Sequence, residues 1–448
     1  MSFPSVSRWL SLTNGVYFSI YVSVAAFSTY FCMYAFRRPF TAATYDGMKL
    51  WGVDYKIVLI IAQVIGYTLS KFVGIKYISE VKPHQRVASI IVLIGVAELA
   101  LLFVGLVPYP YNFVFMFFNG LPLGMIWGLV FSFVEGRRNT ELTAACLSAS
   151  FIISSFVVKA IGLYTMTEWG VSEFWMPFVT GAIFFGPMLF FVAMLSQIPK
   201  PDEDDVAHRT ERVPMMANDR KRYLRNIALG MGILIVLHMM LTAYRDVRDK
   251  FAVEILSSFG RFEGHENVDD LVKYLSFSEI PVALVVLAAL GSTIVIINNK
   301  LAFGVIHGFM FCGVALVGIS TMLLQNGVCS PQVWFILVGT GLYLAYVPYH
   351  SMLFERLIAV FRDKANAGYL IYIADATGYL ASVSVLLYKN FGVSELSWKE
   401  FFVSGSYALA LTGGCAIVLS YLYFMRKAAS HTTGVVREEV PQVAIQQD

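Results

Sequence analysis

The chain has 448 residues, of which 57% are hydrophobic and only 14% are charged. Soluble domains carry roughly 25% charged residues, so this composition and a mean hydropathy of +0.66 exclude an ordinary soluble protein and indicate a membrane protein. The formal net charge of +3 is too small to indicate a nucleic-acid partner. The five cysteines are scattered without a CxxC pair, so we expect neither a metal site nor a disulfide framework.

About twelve runs of roughly 20 apolar residues, the length that crosses a bilayer, follow one another along the chain. We number them spans 1 to 12. The first six are predicted at Val16–Phe36, Tyr55–Gly74, Val87–Leu106, Tyr111–Val134, Leu142–Tyr164 and Phe174–Leu195. The other six are predicted at Ile227–Tyr244, Phe277–Ile297, Leu301–Leu324, Trp334–Phe354, Ala367–Leu387 and Phe401–Phe424.

The most polar internal stretch, residues 197–225, separates span 6 from span 7. Its mixture of prolines, acids and bases predicts a solvated basic linker between two six-span halves, residues 1–196 and 226–425. For the polar residues 426–448 we expect a disordered tail. Most lysines and arginines fall in loops on the side that holds both termini, which predicts cytoplasmic termini and a multi-pass protein of the cell (inner) membrane.

The two halves carry similar motifs at matching places. Gly120–Gly124 lies in span 4 and Gly341–Ala345 in span 10, and a charged turn follows each span. Two such halves joined by a linker are typical of secondary transporters. The predicted fold is therefore an all-α membrane protein, with twelve transmembrane helices in two pseudo-symmetric six-helix halves.

Span 1 carries no charge until a pair of arginines at its end. Its candidate binding residues lie three and four positions apart, which would place them on one helix face: Tyr30, Tyr34, Arg37 and Arg38. Arginine suits phosphate and carboxylate because its planar fork donates paired hydrogen bonds. Since charge in a membrane span is costly, these residues indicate either a ligand path or a fixed ion pair.

Span 7 repeats this pattern in the second half. Its polar residues at helical spacing again share one face: His238, Thr242, Arg245 and Arg248. The faces of spans 1 and 7 would oppose each other across a central cavity. Two other interpretations remain open for the four arginines, namely anchoring at lipid headgroups and pairing with Asp246, Asp249 or Glu254. We expect one arginine per half to be free for substrate.

Four further charged residues lie within predicted spans. Lys71 and Lys159 are candidate substrate contacts, with snorkelling as the alternative for the first and structural pairing for the second. Asp375 either pairs with a base such as Lys71 when a gate is shut or carries a proton, and Glu279 is the second proton candidate. One aromatic set is expected to be core or lipid belt rather than cavity lining: Trp127, Tyr343, Tyr346, Tyr349 and His350.

Several of these segments resemble one transporter family. Tyr34–Phe40, Gly66–Gly74, Asn119–Trp127, Ala367-Gly368 and Gly378–Leu380 resemble motifs of the organophosphate:phosphate antiporters. That family includes the glycerol-3-phosphate and hexose-phosphate transporters and belongs to the major facilitator superfamily. The resemblance implies the major facilitator fold and exchange of a phosphorylated anion for phosphate.

The resemblance also implies a pair between Arg38 and Asp249, because the family has a lysine–aspartate pair between its halves. Arg38 stands where the family has that lysine. Ser150 stands where it has a histidine, and span 7 has extra charged residues. These departures favour a substrate that differs from a simple phosphate ester.

We therefore interpret the chain as a secondary active transporter, an antiporter of a small organic anion, that works by alternating access. One alternative is a proton-coupled symporter of a neutral or carboxylate solute that uses Asp375 or Glu279. Another is a membrane ligand sensor without transport, although residues 197–225 are too few to form a domain. The sequence has no HExxH, GxSxG or P-loop motif. We expect no enzymatic activity, no cofactor, and a monomer in the lipid bilayer.

Overall fold

The computed structural model describes residues 4–135, 140–200, 217–259, 268–361, 365, 367–392 and 395–438. Over these ranges the chain is largely helical, with one short antiparallel ribbon formed by Lys49–Leu50 and Val53–Asp54. Eleven helices of the described chain are long and apolar enough to cross a membrane. A shorter apolar stretch, Phe277–Ser292, belongs to the helix at span 8. The protein is an all-α, multi-pass membrane protein, as the sequence predicted.

The first six spans agree with the predicted ones to within a few residues at most ends. They are Gly15–Ala35, Tyr55–Glu80, Arg86–Leu106, Phe113–Leu123 continued by Ile126–Val134, Thr140–Thr167, and Met176–Ser196. A short helix, Pro4–Leu12, precedes span 1. Span 1 ends at Ala35, so Arg37 and Arg38 lie in the turn after it, before the short helix Pro39–Ala42. The expected single helix face therefore does not extend to the two arginines.

The second six spans differ from prediction mainly at their ends. They are Ala228–Lys250, Val268–Ser292, Asn299–Gln325, Pro331–Tyr346 continued by Pro348–Ser351, Ala367–Leu387, and Trp398–Ala408 continued by Gly414–Glu438. Span 7 runs past its predicted end at Tyr244 to Lys250. It continues because its last charged residues, Arg245 to Lys250, are buried among partners inside the protein.

Shorter helices occupy the connections. They include Ala217–Asn226, Ala252–Ser257 and Leu353–Phe361. The first lies within the predicted linker, of which residues 201–216 are outside the described ranges. The last helix includes residues 426–438 of the predicted tail, and residues 439–448 are outside the described ranges.

Contacts between spans repeat from one half to the other. Span 1 packs on spans 5 and 6, span 2 on span 4, and span 3 on spans 4 and 6. Span 7 packs on spans 11 and 12, span 8 on span 10, and span 9 on spans 10 and 12. The halves meet where span 2 contacts span 11 and span 5 contacts span 8. This repetition makes the halves pseudo-symmetric. The contacts between the halves come mainly from spans 2, 5, 8, 10 and 11.

Span 11 fits closely against the first half because of two glycines. The Gly128 amide donates to the hydroxyl of Tyr372 at 3.0 Å. A Cβ atom on Gly128 would lie 2.1 Å from that hydroxyl oxygen, and one on Gly74 would lie 2.9 Å from the tyrosine ring. The absence of side chains at these two positions lets Tyr372 enter between spans 2 and 4.

Candidate functional site

The four arginines, two in the turn after span 1 and two in span 7, are buried between the two halves. Their exposed fractions are 2% for Arg37, 1% for Arg38, 5% for Arg245 and 1% for Arg248. A headgroup anchor would keep its guanidinium at the lipid surface. The anchoring interpretation is therefore wrong for all four.

Arg38 pairs with carboxylates of span 7. Its Nη2 lies 2.9 Å from Asp249 Oδ2 and 3.7 Å from Asp246 Oδ1. Lys159 of span 5 lies 3.1 Å from Asp249 Oδ1, and Ser155 donates to the same oxygen. The pair that the resemblance implied is present, and Lys159 is a structural partner in it. This node joins spans 1 and 5 to span 7.

The Asp246 carboxylate accepts from several donors of the second half. Arg245 Nη2 lies 2.9 Å from its Oδ1, and Lys250 Nζ lies 2.7 Å from its Oδ2. Ser382 of span 11 also donates to Oδ2, at 2.7 Å. Arg245 donates in addition to the hydroxyl of Tyr379 at 3.0 Å. Arg245 is therefore an ion-paired residue.

Arg248 faces span 8. Its Nη2 lies 2.6 Å from Glu279 Oε1 and donates to the carbonyl oxygen of Phe335 at 3.0 Å. Glu279, the second proton candidate, is thus the partner of an arginine. Neither arginine of span 7 is free, so the expectation of one free arginine per half is wrong for the second half.

Arg37 differs from the other three arginines. No carboxylate of the described ranges lies within 4.0 Å of its guanidinium. Its Nε and Nη1 are buried without a hydrogen-bond partner there, as are those of Arg38 and Arg248. Its Cζ lies 3.7 Å from the ring centroid of Tyr67 and 5.5 Å from that of Tyr379. The rings attract the cation but supply no negative charge, so Arg37 can still accept an anion.

A buried amide network fixes the backbone that carries Arg37. Gln63 Nε2 donates to the Arg37 carbonyl at 2.9 Å and to Asn119 Oδ1 at 2.7 Å. Asn119 Nδ2 in turn donates to the carbonyl of Phe36 at 3.0 Å. The end of span 1 is therefore held by spans 2 and 4. Asn119 was predicted only as part of a motif, and Gln63 was not among the predicted site residues, although an amide in an otherwise apolar span was a usable signal.

The amides meet because spans 2 and 4 pack backbone against backbone. A Cβ atom on Gly66 would lie 2.2 Å from the carbonyl oxygen of Phe117, and one on Gly120 would lie 2.2 Å from that of Gln63. Side chains at either position would separate the two spans. The glycines thus set the distance that the amide network needs.

A second cross-half cluster lies around Asp375. Lys71 Nζ of span 2 lies 2.7 Å from Asp375 Oδ2 of span 11. The other carboxylate oxygen accepts from His350 Nε2 at 2.7 Å and from His238 Nε2 at 3.3 Å. All four side chains are buried, so the snorkelling interpretation of Lys71 is wrong.

The two histidines and Asp375 place their ligand atoms within 4.8 Å of one another, a spacing that a metal ion could use. Two observations disfavour a metal. Lys71 already neutralises the carboxylate. Within the described part of the chain, neither histidine Nδ1 has the second partner that metal-bound imidazoles almost always have. The arrangement is a hydrogen-bonded ion cluster.

Aromatic rings surround both clusters. Tyr30 contacts Tyr34 and Phe151, with ring centroids 5.6 Å and 5.4 Å away, and Tyr34 lies beside Arg38. The aromatic set that the sequence assigned to core or lipid belt is buried in the core: Trp127, Tyr343, Tyr346, Tyr349 and His350. The interior around the charges is therefore largely aromatic.

Comparison with known proteins identifies the family. The profile of DUF5690, described as a family of unknown function, matches residues 39–427. The chain belongs to this family. No curated protein matches it.

Solved structures show the fold of this DUF5690 member. The proton:xylose symporter XylE, bound to 6-bromo-6-deoxy-D-glucose, has a TM-score of 0.61 and 14% identity over 92% of this chain and 96% of its own. The nucleoside transporter NupG has a TM-score of 0.55 and 14% identity over 91% of this chain and 99% of its own. The protein has the major facilitator fold, as predicted. The resemblance to organophosphate:phosphate antiporters finds no support among these neighbours.

In this DUF5690 chain, a pair of tyrosines links the two charged clusters. The rings of Tyr67 and Tyr379 lie 4.5 Å apart, one from each half. Arg37 lies over Tyr67, and Lys71 Nζ lies 5.5 Å from the same ring. The Tyr67 ring is thus shared by Arg37 and Lys71.

Proposed function

We propose that the chain is a secondary transporter that moves a small organic anion by alternating access of its two halves, residues 1–196 and 226–425. Arg37 is the observation that carries the proposal. Its guanidinium is buried, lacks a carboxylate within the described ranges, and leaves Nε and Nη1 without acceptors. An anion would supply both the charge and the acceptors.

The charges around Arg37 favour an anion over a neutral solute. Buried cations outnumber buried carboxylates in this region. The cations are Arg37, Arg38, Lys159, Arg245, Arg248 and Lys250, and the carboxylates are Asp246, Asp249 and Glu279. A doubly charged anion such as a phosphate monoester would offset this excess better than a monocarboxylate. Exchange for phosphate would refill the same site on the return step.

Two cross-half nodes support alternating access. Arg38 with Asp249, and Lys71 with Asp375, each tie the first half to the second through buried ion pairs. Rocking of the halves must break one node at a time to open the centre to one side. An anion at Arg37, between the nodes, would compete for their cations and so lower the barrier to opening.

Uptake of labelled glycerol 3-phosphate into phosphate-loaded proteoliposomes tests the exchanger directly. We expect uptake by the wild type and none by Arg37→Gln. The control is Arg8→Gln, since Arg8 is exposed and should tolerate the change. A wild-type protein that shows neither uptake nor counterflow with any organic phosphate or carboxylate would contradict the proposal.

We also propose a monomer in the cell (inner) membrane with both termini in the cytoplasm. The excess of lysines and arginines in the loops on that side supports this orientation. Reporter fusions at each terminus provide the test, and a reporter that is active only outside the cytoplasm would contradict it.

A proton-coupled symporter is the second candidate. Asp375 supports it, because this buried carboxylate lies between one lysine and two histidines that can exchange protons. Uptake driven by a pH gradient and abolished in Asp375→Asn would favour this mode. Uptake that depends on internal phosphate and ignores the gradient would exclude it.

A further inference from the structure

Four buried polar atoms near the Lys71–Asp375 pair have no hydrogen-bond partner within the described ranges. They are Nδ1 of His238, Nδ1 of His350, Oγ1 of Thr242 and Nε1 of Trp127. The four side chains are at most 1% exposed. Because buried polar groups are normally hydrogen-bonded, such a concentration of unpaired atoms requires an explanation.

The four side chains form one connected group. The His350 ring centroid lies 5.4 Å from those of both His238 and Trp127. Thr242 follows His238 by one helical turn, and both pack against Gly378, where a Cβ atom would lie 2.6 Å from Thr242 Oγ1. The group combines span 4 of the first half with spans 7 and 10 of the second.

The surroundings limit the hydrogen-bond character of these atoms. Asp375 is an ionised acceptor because Lys71 pairs with it, so each histidine must donate through Nε2. Nδ1 then accepts when the ring is neutral and donates when it is protonated, whereas the indole Nε1 of Trp127 is always a donor and needs an acceptor. The Thr242 hydroxyl can do either. Hydroxyl groups, which both donate and accept, suit all four atoms.

Tyr67 and Lys71 connect the group to Arg37. Lys71 Nζ lies 5.9 Å from the Trp127 ring and 5.5 Å from the Tyr67 ring over which Arg37 lies. A ligand whose acid group binds Arg37 would extend past Tyr67 and Lys71 to reach the histidines.

We propose that His238, Thr242, His350 and Trp127 form a subsite for hydroxyl groups. The substrate is then a hydroxylated organic acid and not a plain alkyl phosphate or alkyl carboxylate. This inference rests on the proposed function of Arg37. The acid group fixes the molecule at Arg37, and the hydroxyl groups satisfy the imidazole, indole and threonine atoms.

Binding of matched probes to the purified full-length protein tests the subsite. Glycerol 3-phosphate and propyl phosphate differ only in hydroxyl groups, 3-aminopropyl phosphate tests an amine, and glycerate and propionate form a second hydroxylated and plain pair. We expect the hydroxylated member of at least one pair to bind roughly tenfold tighter than the plain member. The affinity gain of 3-aminopropyl phosphate over propyl phosphate should be smaller.

Two conservative variants locate the effect. Thr242→Val and Trp127→Phe should each lower the affinity for the hydroxylated probe about fivefold. The affinities for propyl phosphate and inorganic phosphate should not change. Thr242→Ser should restore binding, and unchanged phosphate affinity shows that the variants fold. Equal affinities within both pairs, or variants without effect, would overturn the subsite while leaving the anion site intact. A wild type that binds none of the probes would overturn the proposed function and the subsite together.

Discussion

Lys71 of span 2 and Asp375 of span 11 form a buried ion pair across the two halves, with 2.7 Å between Nζ and Oδ2. His238 and His350 donate to the other oxygen of the same carboxylate. One aspartate therefore links spans 2, 7, 10 and 11. Changes at this residue should affect both the stability of the protein and the separation of its halves.

Replacing one residue of this pair should lower the unfolding free energy more than replacing both residues. Lys71→Met leaves a buried carboxylate without its cation, and we expect a loss of about 3–5 kcal/mol in unfolding free energy. Lys71→Met combined with Asp375→Asn should recover part of that loss. Thermal unfolding in detergent, arranged as a double-mutant cycle, measures the coupling.

The matched control for this cycle is Lys56→Gln. Lys56 pairs with Glu254 at 2.8 Å, but the Glu254 side chain is 32% exposed. The Lys56 side chain is only 9% exposed, but water reaches Glu254, so the loss of this pair should cost less than Lys71→Met. Additive effects of the Lys71 and Asp375 changes would show that the pair is not coupled.

Adjacent arginines should respond in opposite ways. Arg37→Gln removes a buried cation without a carboxylate, so the ligand-free protein should become more stable while losing the thermal shift that phosphate produces. Arg38→Gln deprives Asp249 of a partner and should destabilise by about 3–5 kcal/mol. Thermal-shift assays with and without phosphate compare the two. Equal destabilisation by both changes would mean that Arg37 is paired in the protein.

The amide network predicts that Gln63 acts through Arg37. Gln63→Leu leaves the Arg37 carbonyl and Asn119 Oδ1 without their donor, which should cost about 1–3 kcal/mol. Affinity for the anion should fall with it, because the end of span 1 is no longer held. Isothermal titration with phosphate measures this change. Full affinity in a destabilised Gln63→Leu protein would limit the network to a structural role.

The close packing of spans 2 and 4 can be tested with one methyl group. Gly120→Ala would place its Cβ 2.2 Å from the Gln63 carbonyl oxygen, and we expect a destabilisation of about 1–3 kcal/mol or more. Gly95→Ala, in the middle of span 3, meets no atom within 4 Å and should be neutral or stabilising by about 1 kcal/mol. The unfolding midpoints of the two variants measure this difference, and that of Gly120→Ala should be the lower. Similar midpoints would argue against the backbone contact.

The spans were predictable because a bilayer imposes their length and apolar composition. The errors lie at ends where charge is buried. Span 7 continues to Lys250 since Asp246 and Glu279 offset its cations inside the protein. A hydropathy criterion counts those cations as solvent-exposed residues, and it therefore predicts that the span ends at Tyr244.

The residue types of the site were predictable, but their partners were not. Arg37 and Arg38 are neighbours with the same side chain, and sequence gives no reason to separate them. The separation arises because span 1 ends at Ala35. Arg38 then lies against Asp249 and Arg37 over Tyr67. Pairings of this kind depend on which spans face each other across the halves, and composition does not contain that information.

The close packing of Tyr372 between Gly74 and Gly128 offers a way to hold the protein in an open form. Because a methyl group on Gly128 would occupy the position of the tyrosine hydroxyl, Gly128→Ala acts as a wedge that opposes closure of span 11 against the first half. It does so without altering any charged residue. A population held in the open form would suit imaging by electron microscopy and selection of binders specific for that form.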